Sequence, residues 1–396
     1  MKRALIAIAL FSLIPSSAQA APKAIPVQLG SIYPAPIGTE IFLQSAQNTI
    51  FISNPVTQSA DIQVTAVDLT NTQVWQRTID SGLSEVAMAA TADPLGNIWI
   101  AGAAAVAPAA ETATSTVGVD NPDQVNVDSP SDLRTDLNQI ALWKISNTGE
   151  LSATYLAPQK TIPLISSLSA TNSGISIVGS LDSKPFLLAA TTSGVFGNLV
   201  FLGSSKTEFN TVVRNSDGTS SIYGSSAETL AGKKLAGIRD GVLIKVSKTG
   251  SINSLVRSSA LKASRSWISG DSSYLVSGPV ITGKVTETAI TKFTSAFAPS
   301  WTLRLPSVGP STTLTANGNS YLAFTSRSAI AGISGWKPNQ PSLLVLTFDS
   351  KGVIKAATAL PGLVAPISLA YSPAKGVVGL ASASDGTVSI FTLVSR

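Results

Sequence analysis

Residues 140–156 read IALWKISNTGELSATYL: an apolar β-rich run, a polar turn ending at Gly149, then a second alternating run. Alternation and β-branched residues on both sides of a short turn are the mark of a hairpin. Five further segments repeat the form. They are IQVTAVDLTNTQVWQRTI from Ile62, FLLAATTSGVFGNLVFL from Phe186, VLIKVSKTGSINSLVRS from Val242, AITKFTSAFAPSWTLRL from Ala289 and LLVLTFDSKGVIKAATAL from Leu343. The turn position falls at Gln73, Gly149, Gly194, Gly250, Phe297 and Gly352, in steps of 76, 45, 56, 47 and 55 residues. The long first step carries an insertion at about Ala103 to Asp136. Without it the period fits the roughly 40–50 residues of a propeller blade.

A second strand pair precedes these hairpins. Examples are VAMAATADPLGNIWIAG (Val86–Gly102), LISSLSATNSGISIVGS (Leu164–Ser180) and NTVVRNSDGTSSIYGSS (Asn210–Ser226). SRSWISGDSSYLVSG (Ser264–Gly278) and STTLTANGNSYLAFTS (Ser311–Ser326) follow the same plan. Each unit therefore has four strands, an inner pair and an outer pair. The last stretch, Ile367–Arg396, supplies three strands of a seventh unit. Its missing fourth strand is available in IPVQLGSI, Ile25–Ile32. The pattern predicts an all-β, single β-propeller of seven four-stranded blades, closed by the N-terminal strand, which removes exposed sheet edges. Residues 21–396 form that one domain. An outer-membrane barrel is the competing fold; aromatic residues at 6% are too few for its two girdles, and the chain ends in Arg396.

The N-terminus predicts export. Lys2 and Arg3 precede an apolar run, Ala4 to Ile14, and Ala18-Gln19-Ala20 is an A-x-A cleavage site. Residues 1–20 read as a leader, with the mature chain starting at Ala21 in an extracytoplasmic compartment. The run is too short to span a bilayer, so no transmembrane anchor is expected after cleavage. The chain has no Cys and no His, which excludes thiol nucleophiles, His-based triads and soft-metal sites. Charged residues are 12% of the chain against roughly 25% in typical domains, so no nucleic-acid footprint is expected. The charge is uneven: 6 basic and 14 acidic residues in 21–198, against 19 and 8 in 199–396.

The units resemble bacterial propeller repeats of the quinoprotein-like and related classes. VTAVDLTNTQVWQRTI (Val64–Ile79) carries the likeness, with Asp68 before the turn and Trp75 after it; the Trp recurs at Trp301. The resemblance implies a propeller. It implies no quinone cofactor, and no cofactor or metal site is expected.

Candidate chemistry is sparse. Asp120, Asp123, Asp128, Asp132 and Asp136 lie in the insertion without the spacing of a calcium loop, and read as a solvated acidic segment. Asp80 and Glu85 are a possible carboxylate pair for glycoside hydrolysis, with nothing to mark a pocket. Asp240-Gly241 and Asp385-Gly386 read as turns. Trp99, Trp143 and Trp267 read as core. Trp336, in GISGWKPNQP beside Lys337, reads either as an exposed anchor or as a side chain folded back on its own blade. Lys233, Lys234 and Arg239 form a basic loop.

The three longest loops, Ala103–Asp136, Ala227–Asp240 and Ser328–Pro341, each join the second strand to the third of a unit. Loops of one type emerge on one face. That face is the expected site, through Trp336, Lys337, Lys233, Lys234, Arg239, Asp120, Asp123 and Asp128. The expected partner is an extracellular protein or polysaccharide. An extracellular glycan-active enzyme using carboxylates alone and a structural cell-surface component are the alternatives.

Overall fold

The computed structural model describes residues 24–45, 48–56, 59–68, 70–107 and 136–393. Every named element is a β-strand. Five separate antiparallel four-stranded sheets succeed one another: strands within 39–79, 85–158, 164–201 and 207–258, and 363–392 completed by Ser31–Pro34. The strands of 263–360 form one ten-stranded sheet with Ile25–Leu29. The count of separate blades is therefore five, not the seven expected. The cause is one long strand, Pro299–Ala316. Its first part pairs with Val285–Phe293, and after a register shift between Ser307 and Ser311 its second part pairs with Asn319–Ser326. Two sequence units thus share a continuous strand, where the others are separated by a loop.

The turns explain the repeat. In the turn 146–150 the Ser146 Oγ accepts from the N–H of Thr148 and of Glu150 at 3.3 and 3.1 Å, while Gly149 adopts φ 90°. Ser247 and Asp349 cap their turns in the same way. So does Asp68, where the positive-φ residue is Asn71, φ 63°. The turn of the first repeat is therefore centred two residues before Gln73, which begins the next strand.

Ring closure is as the strand pattern implies, with one refinement. Ser31–Pro34 pairs antiparallel with Val388–Thr392, the last strand of the chain. The expected strand Ile25–Ile32 is broken at Gly30. Ile25–Leu29 instead runs parallel to Ile354–Leu360 and to Ile333–Ser334. A Cβ at Gly30 would stand 2.6 Å from Leu360 Cδ2, so a side chain at the crossing between the two sheets would displace the buried Leu360.

The core lies between sheet faces. Trp99, Ile140 and Leu142 of the second sheet meet Ile177, Phe186 and Leu188 of the third. Small hydroxyl residues share these seams, as in the buried pairs Ser176–Ser220 at 2.7 Å and Ser277–Ser311 at 2.9 Å. The abundance of Ser and Thr is thus partly structural, since these buried hydroxyls pair with one another within and between sheets.

Candidate functional site

Connections between second and third strands all leave one face, because strand direction alternates within each sheet. On that face the connections differ in length, with 54–61 and 384–387 holding eight and four residues. The long ones are 105–138, 227–239 and 327–341; between them Leu181–Lys184 and Thr282–Val285 are joined by the two-residue turns 182–183 and 283–284.

The connection 227–239 is a built structure. Glu228 accepts from Ser204 N–H at 2.7 Å, Ser204 Oγ at 2.8 Å and Thr207 Oγ1 at 2.6 Å. Burial pushes its carboxyl up, but these hydrogen bonds outweigh burial and hold it below the usual range. Asp240 is fully buried and opens the strand Asp240–Val246, so it is not the turn residue that Asp-Gly suggested. It accepts from the N–H groups of Ala236 and Gly237 and forms a buried ion pair with Arg257 at 3.1 Å. Arg257 also donates to the carbonyls of Lys233 and Glu228. Lys233 and Lys234 are exposed at the tip. Arg239 is half-buried, donating to Ser225 Oγ at 3.0 Å and paired with Glu208 at 3.7 Å.

In the connection 327–341, Trp336 is 9% exposed and folded into the core with Ile330 and Ile333. Its indole N–H donates to Ser326 Oγ at 2.9 Å. Trp336 is therefore not an exposed anchor: the apolar ring fills the space under its own loop and its polar atom is satisfied there. Lys337, its neighbour, is exposed. In the connection 105–138, Asp120, Asp123, Asp128 and Asp132 lie outside the described residues. At its far root the Asp136 carbonyl accepts from Val106 N–H at 3.1 Å.

Beside that root the structure places the carboxylate pair Asp80 and Glu85 at a cavity, which the sequence did not mark. Asp80 and Glu85, with Ile79, Leu83, Val106, Gln139, Trp143 and Leu156, line a cavity of about 320 Å³. Asp61, from the preceding second-to-third connection, joins them; one carboxylate oxygen from each of Asp61, Asp80 and Glu85 lies within 4.8 Å of the others. Asp80 is exposed and Glu85 is 2% exposed. Ser81 Oγ donates to Glu85 Oε1, and Glu85 Oε2 has no hydrogen-bond partner. Burial pushes the Glu85 carboxyl up, and the charges of Asp80 and Asp61 add to that.

No protein-family model matches the chain, and no curated protein sequence matches it. Solved structures do. The WD40 domain of coronin from Toxoplasma gondii shares 11% identity at a TM-score of 0.52, over 94% of this chain and 90% of that one. The β-propeller domain of the Trilobed protease from Pyrococcus furiosus, which has an open velcro topology, shares 11% at 0.50, over 93% and 97%. At such identities the likeness concerns the fold. The chain is a single all-β propeller. The quinoprotein-like resemblance has no counterpart here beyond that architecture.

Proposed function

We propose that this propeller is an exported, non-enzymatic scaffold that binds a protein or surface polysaccharide through the face bearing its long connections. The observation that carries the reading is the contrast in length on that face: the connections 105–138, 227–239 and 327–341 hold 34, 13 and 15 residues, whereas 54–61, 182–183, 283–284 and 384–387 hold eight or fewer. Loops held by a rigid framework are the usual carriers of recognition. The roots of the second and third loops are fixed by Asp240–Arg257 and by Trp336, while the tips present Lys233, Lys234 and Lys337 with no ion pair among the described residues.

We read the ten-stranded sheet as two wedges, for seven around the ring. A Cβ at Gly352 would lie 2.6 Å from the Trp301 ring, as one at Gly149 would from Trp75. The second contact joins successive separate sheets, so the first has the character of an inter-blade contact.

The test is substitution of the tips. Lys233→Glu, Lys234→Glu and Lys337→Glu together should leave the unfolding midpoint unchanged and abolish capture of a ligand from cell-envelope fractions or spent medium. Undiminished capture rejects the face. Export is checked separately, by sequencing the N-terminus of protein recovered outside the cytoplasm; a chain that still begins at Met1 rejects cleavage after Ala20.

A further inference from the structure

We propose that Asp61, Asp80 and Glu85 form a binding site for a hard divalent cation, calcium in the first place, at the seam between the first two sheets. Three carboxylate oxygens within 4.8 Å of one another can share an ion at the about 2.3–2.6 Å typical of calcium. None of the three carboxylates forms an ion pair among the described residues. Glu85 adds an independent sign: its Oε2 is buried and has no hydrogen-bond partner. A buried carboxylate oxygen without a donor is unfavourable unless something else satisfies it.

The position of Glu85 sharpens the point. It is the first residue of its sheet's first strand, paired with the last residue of the second strand, Ala104. At the same place other sheets carry Thr39, opposite Ser53, and Thr207, opposite Ser226. Both hydroxyls have partners: Thr39 donates to the Pro36 carbonyl at 2.7 Å, and Thr207 donates to Glu228 at 2.6 Å with Ser226 Oγ also 3.0 Å away. The other sheets begin with Leu164, Ala263 and Leu363, so Glu85 is the one carboxylate at this place among the described strands.

The donor set selects the metal class. All-oxygen, anionic ligands suit calcium, magnesium or manganese over zinc or copper. Magnesium demands near-ideal octahedral geometry, whereas calcium accepts irregular ligands and fills the rest of its shell with water. The adjoining cavity leaves room for that water. The ion would tie together the connection holding Asp61, the link holding Asp80 and the strand opened by Glu85, at the root of the longest loop.

The site and the loop-tip reading are separable, since no tip lysine belongs to it. The test uses the full chain, stripped with EDTA and titrated with calcium chloride by calorimetry and by thermal unfolding. One calcium per chain should bind, with a rise in unfolding midpoint that magnesium matches only at higher concentration. Asp80→Asn and Asp61→Asn should each weaken calcium at least about tenfold. Both should fold without metal, because Asn keeps an oxygen to accept from Gly82 N–H or Ser59 Oγ. No binding at millimolar calcium overturns the site. So does binding that survives both substitutions, or that disappears only when 108–135 is removed.

Discussion

The carbonyl oxygen of Val86 lies 1.8 Å from where a Cβ on residue 102 would stand, so glycine is required there for packing and not for a turn. The bulge in the facing strand, between Ala87 and Ala89, pushes that carbonyl inward. Gly179 and Gly224 repeat the contact against Leu164 and Glu208 at 2.1 and 2.0 Å. Gly102→Ala should therefore cost about 3 kcal/mol in urea unfolding, and a loss below about 1 kcal/mol would show the bulge relaxing at little cost. Asp93 makes a second test. It accepts from Leu95 and Asn97 N–H, and from the Asn97 and Trp99 side chains. Burial raises its pKa, but these bonds prevail and leave it below the usual value. A depressed carboxylate contributes stability in full above the unfolded value near pH 4, and loses it as pH falls through the folded value. Asp93→Asn should lower the midpoint at pH 7 and flatten its fall between about pH 5 and pH 2. An unchanged acid slope would sink this account. Single residues were only partly legible from sequence. Turn chemistry at Gly149 was read directly, because cap and glycine sit within one turn. The inward face of Trp336 was not, because its partners Ser326 and Ile330 specify it only once the loop has folded.

At the scale of elements, the connection 227–239 owes its shape to one buried ion pair. The Arg257 and Asp240 side chains are 8% and 0% exposed. Removing one partner of such a pair leaves an uncompensated charge and typically costs about 3–5 kcal/mol. Arg257→Leu should do so, and should speed amide exchange in 228–239 while sheets on the far side of the ring keep their protection. Uniform exchange loss would mean the pair holds the whole ring and not one loop. Periodicity gave the strands reliably because alternation is a local property. It could not reveal that Pro299–Ala316 continues through a register shift, since the sequence there, with Pro306 and Pro310, looks like a break. Nor could it bring Asp61 to Asp80 and Glu85. They approach only because the second-to-third connection of one sheet packs on the link into the next, with Glu85 N–H donating to the Ala60 carbonyl at 2.7 Å.

For the whole molecule, stability depends on joining two segments more than 350 residues apart in the sequence. Ser31 faces Thr392, and Tyr33 faces Ile390, in the sheet that completes the ring. The neighbouring strand Ile25–Leu29 continues past that junction into the ten-stranded sheet, so one N-terminal segment clasps two sheets. The complete absence of cysteine makes this closure directly testable. Paired residues of antiparallel strands have Cα atoms about 4.5–5.5 Å apart, within the range a disulfide bridges. Ser31→Cys with Thr392→Cys should therefore oxidise within one chain, giving a faster-migrating monomer on non-reducing gels. Linking so long a loop should stabilise the ring by about 4–5 kcal/mol, less any strain in the new bond. Dimers alone, or free thiols after oxidation, would mean the ends do not meet. A monomer that forms without any gain in stability would mean that strain in the new bond, or closure that persists in the unfolded ensemble, offsets the chain entropy removed.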